Sequence, residues 1–279
     1  MAAATDAPVL AGIGSERNLT LVRLAAREAA THERPLRLLH AFDWATALAA
    51  PSVVGPHDAA EELLARATEI AKDVDETLPV SGEITEGPVV EMLVRRSDAA
   101  FLVAIGDGGM STDSGWVPAD AVAVQVAARA GCPVLVGRRD PPPEGPVLVG
   151  VDGSDGSRRA LEWAFDCAAR RAARLVAVRV VEPGGNDDPA VLGDIAAAAG
   201  RRHPSVAVEC HTIRGDPGLV LVEQSRSTQV TVVAARGHRP GRGMLGSVCQ
   251  KVLYRASAPV IVVRGIDAAE DPGGRDQGP

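Results

Sequence analysis

Residues 147–154 read V-L-V-G-V-D-G-S, and the helix-like run S-R-R-A-L-E-W-A follows at 157–164. A related stretch, V-L-A-G-I-G-S-E, occupies 9–16 and also precedes an apolar run with helical spacing. Each half then repeats a strand-like run, a glycine loop, an amphipathic run and a further strand-like run, at 101–136 and at 230–263. The chain is therefore a duplicated α/β unit whose second copy has the better kept ligand loop. This pattern suggests a binding protein with its site in the second half.

Composition and charge limit the classes of function. The 279 residues fit two domains, and with 46% hydrophobic but only 3% aromatic residues the core must consist of Ala, Val and Leu. A net charge of -7 argues against a nucleic-acid partner. Residues 1–138 carry -8 (11 Lys/Arg, 19 Asp/Glu), whereas 139–279 carry +1 (18 and 17), so a small anion would prefer the second half.

The sequence also bears on location and on metals. No apolar run reaches membrane-spanning length and no targeting pattern opens the chain, so we expect a soluble, cytoplasmic protein without a membrane partner. The cysteines lack C-x-x-C spacing and are expected to be reduced core residues rather than a disulfide framework or a zinc site, so no metal-binding residue is predicted. Only Cys249 has a sequence position that is compatible with a redox role, because a thiol in the first turn of a helix can have a lowered pKa.

A proline-rich segment divides the chain. Residues 138–146 read R-R-D-P-P-P-E-G-P, and consecutive prolines predict a stiff, extended connection. We expect one domain at 1–138, a linker at 139–146 and a second domain at 147–264. The tail at 265–279 is rich in Gly, Pro and Asp and is expected to be disordered.

Strands and helices alternate in both halves. Gly87 and Gly215, like Gly109 and Gly237, are 128 residues apart, so the repeat extends to single motifs. Alternation predicts, for each half, a five-stranded parallel sheet with helices on both faces, a Rossmann-like α/β fold that binds ligands at the carboxyl ends of its strands. The predicted strands are 36–41, 101–105 and 133–136 in the first half, and 147–151, 174–181, 206–213, 230–234 and 259–263 in the second; the predicted helices include 157–172, one from a Gly-Asp-Pro turn at 215–217 through 225, and one from 247.

The loop at 234–247 reads A-A-R-G-H-R-P-G-R-G-M-L-G-S. Its glycines let backbone N–H groups approach an anion, and Gly246-Ser247 stands where a helix begins, which favours a phosphate. The loop cations can neutralise further phosphate charge. On the loop alone, a glycine-rich turn with Ser247 as helix N-cap is an equally good interpretation. The cations are Arg236, His238, Arg239 and Arg242.

Asp152 stands at the end of the first strand of the second half, just before Gly153. A carboxylate there can accept a hydrogen bond from a ribose hydroxyl or an adenine amino group. The alternative is an Asx turn or an N-cap for the next helix, which is common for Asp-Gly-Ser.

Together these motifs resemble the universal stress protein family in its tandem two-domain form. ATP-binding members of that family carry G-x2-G-x9-G-(S/T) after the fourth strand and an Asp at the end of the first. Here V-G-V-D-G-S at 149–154 matches the first-strand pattern, and 246–264 follow the downstream pattern. In the loop, Ala234 stands for the first glycine and Gly237 for the second, with eight residues between Gly237 and Gly246.

The resemblance implies an ATP site in the second half. The adenine would contact the backbone just after the second strand, at Val180. The phosphates would lie at Gly237, Gly246 and Ser247, and Mg²⁺ would be held only through them. It also implies that 133–137 and 259–263 lie at sheet edges and pair to form an internal pseudo-dimer, and it leaves a homodimer open. The implied binding residues are Asp152, Gly153, Val180, Ala234, Arg236, Gly237, Gly246, Ser247 and Val248.

The first half resembles the same family without the ligand chemistry. Gly14 stands where Asp152 stands, and Ala119-Asp120 replaces Gly-Ser. Asp120 would cap the helix but repel a phosphate there, and Asp107 and Asp113 would add to the repulsion. We expect a structural pseudo-site.

The function expected is ATP binding in a stress-response regulator that is not a strong catalyst. The chain has no supported Ser-His-Asp, Cys-His or paired-carboxylate arrangement and no P-loop lysine. Two alternatives stay open: a nucleotide-free interaction scaffold in which both sites are vestigial, and a slow ATPase.

Overall fold

The structure is a computed structural model that describes residues 7–42, 56–108, 121–138, 144–181, 188–237 and 244–264. The strands are β1 Val9–Gly12, β2 Leu36–Phe42, β3 Val80–Glu86, β4 Leu102–Ile105, β5 Val134–Val136, β6 Val147–Gly150, β7 Leu175–Val181, β8 Val208–Arg214, β9 Val230–Ala234 and β10 Val260–Val263. The helices are α1 Leu19–Thr31, α2 Pro56–Val74, α3 Val89–Ser97, α4 Val122–Arg129, α5 Asp155–Arg170, α6 Pro189–Gly200, α7 Pro217–Gln224 and α8 Ser247–Arg255.

All these strands form one sheet with the order β3-β2-β1-β4-β5-β10-β9-β6-β7-β8. Within each half every pairing is parallel, which confirms the two predicted five-stranded parallel sheets. The halves meet where β5 and β10 pair antiparallel, with Leu135 opposite Ile261. The predicted pairing of the last strands is therefore confirmed. Because β5 and β10 cover each other, neither presents an unpaired edge.

Helices cover both faces of the sheet, as predicted. Buried side chains of α1, α2, α5 and α6 pack on one face, and those of α3, α4, α7 and α8 pack on the other. Central strands are short and fully buried, as in the L-V-A-I of β4, because they have a helix layer on each side. Small side chains such as Ala25, Ala164 and Ala168 are completely buried where helices meet the core.

Local signals explain where the elements begin and end. Helix α5 begins two residues before the predicted position because Ser154 caps it, its Oγ accepting the Ser157 N–H at 3.2 Å. The helix α7 begins after the predicted Gly-Asp-Pro turn, with Gly215 at φ 151° and Asp216 accepting the Leu219 N–H at 2.9 Å. Gly215 adopts a φ that side chains rarely allow, which explains the glycine in this turn.

Two arginines join the halves reciprocally. Arg138 follows β5 and donates to the carbonyls of Leu253 and Ala256 at the end of α8, both at 2.8 Å. Arg264 follows β10 and donates to the Ala128 carbonyl at the end of α4 at 2.5 Å. Helix C-termini leave carbonyls without partners and favour positive charge. Each half therefore supplies the C-terminal cap of the last helix of the other.

Among the helices of the described ranges, none is long and apolar enough to cross a membrane. The predicted disordered tail at 265–279 and residues 139–143 of the predicted linker lie outside the described residues.

Candidate functional site

The turn after β6 is built by Asp152 and Gly153. The Asp152 Oδ1 accepts the Ser154 N–H at 2.9 Å and the Ser154 hydroxyl at 2.6 Å, which is the Asx turn expected as the alternative. Gly153 has φ 88°, and its N–H donates to the Ser157 Oγ at 3.1 Å. Because that N–H is already bonded, Gly153 serves the shape of the turn and does not offer its N–H to a ligand. Its implied role as a binding residue stays a prediction.

The turn after β6 and the loop after β9 touch each other. A Cβ placed on Gly237 would collide with the Asp152 Oδ2, and one placed on Gly156 would lie 2.7 Å from the Arg236 carbonyl oxygen. Strand β6 pairs with β9 on one side and β7 on the other, so the contact lies at the switch point of this half of the sheet. A crevice at this position is where doubly wound sheets bind ligands.

Helix α8 begins against the same loop. Its N-cap is Gly246, and Ser247 is the first helical residue, so the interpretation of Ser247 as the N-cap is wrong. The Gly246 N–H donates to the Ala235 carbonyl at 2.8 Å, which fixes the start of the helix. Within the described residues, no side chain caps this helix end. The N–H groups of Ser247 and Val248 in the first turn are therefore suited to an anion.

Arg236 closes the base of the loop. Its Nε donates to the Met244 carbonyl across the segment 238–243, which lies outside the described residues together with His238, Arg239 and Arg242. One terminal guanidinium nitrogen of Arg236 is buried and has no hydrogen-bond partner in the described part of the chain. A positively charged donor without an acceptor, next to a helix N-terminus, fits an anionic group.

Val180 lies inside β7, one residue before its end, so the expectation that it follows the strand is wrong. Strand β7 pairs with β8 as far as Val181, so Val180 is still within the sheet. The Val178 carbonyl accepts the Val151 N–H at 2.9 Å, so the polar groups of Val178 face β6. By the alternation of a strand, those of Val180 face the same side, beyond the end of β6 at Gly150. Val180 therefore still borders the crevice.

Two further implied residues stand at the edges of this arrangement. Ala234 is the last residue of β9 and is half-buried, and its Cβ lies 3.4 Å from the position that a Cβ on Gly156 would occupy. Val248 is half-buried and packs against the core on the face of α8. The structure thus brings Asp152, Gly237 and Gly246 together, with Ala234 alongside.

The corresponding place in the first half is filled by Asn18. Its Oδ1 accepts the N–H groups of Gly14 and Ser15, both at 3.1 Å. A Cβ on Gly106 would lie 2.5 Å from its Nδ2. The sequence analysis missed Asn18, although the alignment of Gly14 with Asp152 places Asn18 opposite Gly156 and could have revealed it.

Asp107 of this half has a cationic neighbour. It is buried and faces Arg138, with 3.9 Å between its Oδ2 and the Arg138 Nη1, so part of the negative charge expected to repel a phosphate is compensated. The N-cap of α4 is Ala121, not Asp120. Ala119, Asp120 and Asp113 lie outside the described residues.

Comparison with known proteins agrees with this architecture. The model of the family described as "Universal stress protein family" matches residues 7–138 and 145–264. A universal stress protein of Mycolicibacterium smegmatis is 33% identical over an alignment of 296 residues, covering 94% of this chain and 98% of that protein. The crystal structure of a universal stress protein from Archaeoglobus fulgidus has the same fold, with a TM-score of 0.68 and 19% identity over 91% of this chain and 96% of that one.

Some members of the family bind adenine nucleotides. One solved structure is that of a universal stress protein in complex with cAMP; it is 30% identical, covers 43% of this chain and 96% of that one, and has a TM-score of 0.35. The family-model matches and the Mycolicibacterium relative cover nearly all of the present chain. The chain therefore belongs to the universal stress protein family, with one match to the family in each half.

Proposed function

We propose that the second half, residues 147–264, binds ATP and that the protein is a nucleotide-dependent regulator of the stress response rather than a strong catalyst. The observation that carries this proposal is the contact of Asp152 with Gly237 beside the uncapped start of α8, in the described residues at the switch point of the sheet. A carboxylate, a glycine cradle and free helix N–H groups are the recurring parts of a nucleotide site.

The residues of the crevice suit different parts of the nucleotide. In the proposed complex the adenine lies against the peptide groups of Val180 and the ribose near Asp152. The phosphates lie at Gly237 and at the N–H groups of Ser247 and Val248. The unpartnered nitrogen of Arg236 supplies a charge-assisted hydrogen bond to them. Mg²⁺ would be bound through the phosphates.

We further propose that the first half, residues 1–138, is a structural pseudo-site. Asn18 supports this proposal because its amide occupies the space between the turn at Gly14 and the loop at Gly106. A ligand would have to displace a side chain that already satisfies two backbone N–H groups, at a cost in free energy. We also propose a cytoplasmic location, supported by the four free cysteines, because disulfides are rare in that compartment.

A thermal-shift titration with ATP, AMP and cAMP, with and without Mg²⁺, tests the proposal. A ligand at 100 times its dissociation constant stabilises the folded state by about 2.7 kcal/mol, which is readily measured. We expect a shift with ATP that Asp152→Ala abolishes. The control is Asp194→Ala, which removes the same charge from an exposed position on α6 and should keep the shift.

The outcomes separate the alternatives. The absence of any shift at millimolar ATP would contradict the proposal and favour a nucleotide-free scaffold, for which Ala234 in place of glycine is the sequence argument. Single-turnover hydrolysis by the wild type that Asp152→Ala abolishes would instead identify a slow ATPase.

A further inference from the structure

A cavity of about 860 Å³ lies along α5, away from the crevice at Asp152. Its walls come from α5, from the end of α6 and the residues after it, and from the chain around β5 and β10, so both halves contribute. Neither Asp152, Gly237 nor Gly246 lines it. A cavity of this volume accommodates a small organic or phosphate-bearing molecule.

Arginine dominates the charged groups of the cavity. Arg158 on α5 and Arg201 and Arg202 after α6 are exposed, and their guanidinium groups make no hydrogen bond or ion pair within the described part of the chain. Arg159 and Arg264 also line the cavity, and both have partners. Three unpaired guanidinium groups around one cavity provide a concentration of donors that protein groups do not satisfy.

The acidic groups of the cavity do not cancel this charge. Five arginines face two carboxylates, Glu162 and Asp166, a net formal charge of +3 in a chain whose total is -7. Asp166 is moreover bonded to Arg170, its Oδ1 and Oδ2 each 3.1 Å from the Arg170 Nε. The cavity is therefore a local positive region on an acidic protein, which attracts anions selectively.

Trp163 contributes a packed ring to the cavity wall rather than an accessible donor. The Trp163 Nε1 is buried and has no acceptor among the described residues, although buried indole N–H groups usually find one. The ring is held by Phe101 and His32, with centroids 5.2 and 6.0 Å away. The unpaired guanidinium groups are therefore the donors that a ligand in the cavity can reach, and they favour a ligand rich in acceptors.

We propose that this cavity binds a small polyanion with at least two phosphate groups, at a second site distinct from the proposed nucleotide site. Arginine forms paired hydrogen bonds with phosphate oxygens, and guanidinium groups on separate elements suit phosphates spaced along a chain. The concave shape and limited volume favour a small molecule. An inorganic oligophosphate and the phosphate chain of a nucleotide share this chemistry.

Calorimetric titration with inorganic triphosphate tests the site. The full chain carrying Asp152→Ala serves as the background, so that the nucleotide site does not contribute. In that background the triple variant Arg158→Gln, Arg201→Gln, Arg202→Gln should bind triphosphate at least about tenfold more weakly, since each lost guanidinium removes charge-assisted hydrogen bonds. The matched control is Arg23→Gln, Arg27→Gln, Arg95→Gln, which removes the same charge from exposed positions of the first half.

The inference fails if the cavity variant binds as tightly as the background, or if the control loses as much affinity, since binding would then reflect net charge. It also fails if the Asp152→Ala background does not bind triphosphate while the wild type does, because the anion would then belong to the nucleotide site. ATP competing with triphosphate in the background would identify a nucleotide as the ligand, and ATP without effect would identify a free oligophosphate. Protection of Arg201 and Arg202 from phenylglyoxal by triphosphate provides a readout in unmutated protein.

Discussion

At the scale of single residues, the two halves differ most at one position, which is Gly156 in the second half and Asn18 in the first. Gly156 in α5 lets the turn after β6 approach the Arg236 carbonyl, whereas Asn18 at the corresponding position fills the equivalent space. The crevice of the second half therefore depends on an absent Cβ. It also depends on Gly237, where any side chain would meet the Asp152 carboxylate.

We predict that Gly156→Ala destabilises the protein by about 1–3 kcal/mol, because the new Cβ meets a backbone carbonyl that must shift. Gly193→Ala on α6 is the control: its Cβ would have no atom within 4 Å, and alanine should stabilise the helix by about 0.5–1 kcal/mol. Urea denaturation measures both. Equal effects of the two substitutions would show that the close approach at Gly156 is not what constrains this residue.

The cysteines yield a second prediction at this scale. Burial raises the pKa of Cys132, Cys167 and Cys249 to about 12, and Cys210 is the exposed one. Because the thiolate is the reactive form, iodoacetamide at pH 8 should label Cys210 in the native protein and all four thiols in denaturant. Peptide mapping by mass spectrometry resolves the sites. Rapid native labelling of Cys249 would instead support the redox interpretation.

At the scale of the elements, the reciprocal arginines connect the loop of one half to the helix of the other. Arg138 contacts Asp107 on one side and the C-terminal carbonyls of α8 on the other. Burial lowers the pKa of Arg138 to about 10, which still leaves it charged at neutral pH. The first half thus stabilises the C-terminal end of α8, whereas the phosphates are proposed to bind at the N-terminal end of the same helix.

Arg138→Met should destabilise the protein by about 3 kcal/mol, because it leaves Asp107 buried without its cation and α8 without its cap. Arg138→Met with Asp107→Asn should recover part of that loss, since the buried charge is then removed. Arg264→Met, which removes the matching cap of α4, should cost less because Arg264 is only half-buried, whereas Arg138 is buried. Chemical denaturation of the four proteins forms the test. A double variant no more stable than Arg138→Met would contradict the role of Asp107.

The sequence predicted those elements whose apolar pattern is strong. The strands of the second half, the Gly-Asp-Pro turn and the start of α8 at Ser247 were all found. The strand β3 escaped assignment because its sequence, V-S-G-E-I-T-E, is polar and it lies at an edge of the sheet with several exposed residues. The cap of α8 was misassigned because Ser is a common N-cap, while the backbone places Gly246 there.

At the scale of the whole molecule, a buried polar cluster joins the halves on one face of the sheet. Glu28 of α1 forms an ion pair with Arg171 after α5, and His32 lies 3.5 Å from Asp166 through its Nδ1. His32 is only 5% exposed. Burial lowers the pKa of His32 to about 4, and the nearby arginines lower it further. The attraction of Asp166 opposes this shift but does not cancel it.

This burial predicts a pH dependence of stability. Between about pH 6.5 and 4 the unfolded chain binds a proton at His32 that the folded protein does not, so the free energy of unfolding should fall as the pH drops through this range. The full effect is about 3 kcal/mol, from 1.36 kcal/mol for each pH unit. Urea denaturation at pH 6.5 and pH 4.5 of the wild type and His32→Gln tests it. The variant should lose less stability over this interval, and parallel losses would contradict the prediction.

The sequence predicted the duplication and the family at this scale, because both rest on local motifs. It did not predict how Asn18 fills one site or how Arg138 reaches α8, since these contacts join residues from different loops and halves. The sequence did not predict the cavity along α5 either, because its arginines come from three separate stretches of the chain, at 158–159, 201–202 and 264. Such features follow from packing rather than from periodicity.

The antiparallel pairing of β5 with β10 has a consequence for how the molecule responds to its ligand. Because of this pairing, the strands of the two halves run in opposite directions, and their carboxyl ends lie on opposite sides of the molecule. One nucleotide cannot reach both sets of carboxyl ends, and in the first half that space is already occupied by Asn18. For the sites at the carboxyl ends of the strands, the expected stoichiometry is one nucleotide per chain with a simple hyperbolic isotherm. Under the proposed function, the two halves would therefore give a graded rather than a cooperative response to nucleotide concentration.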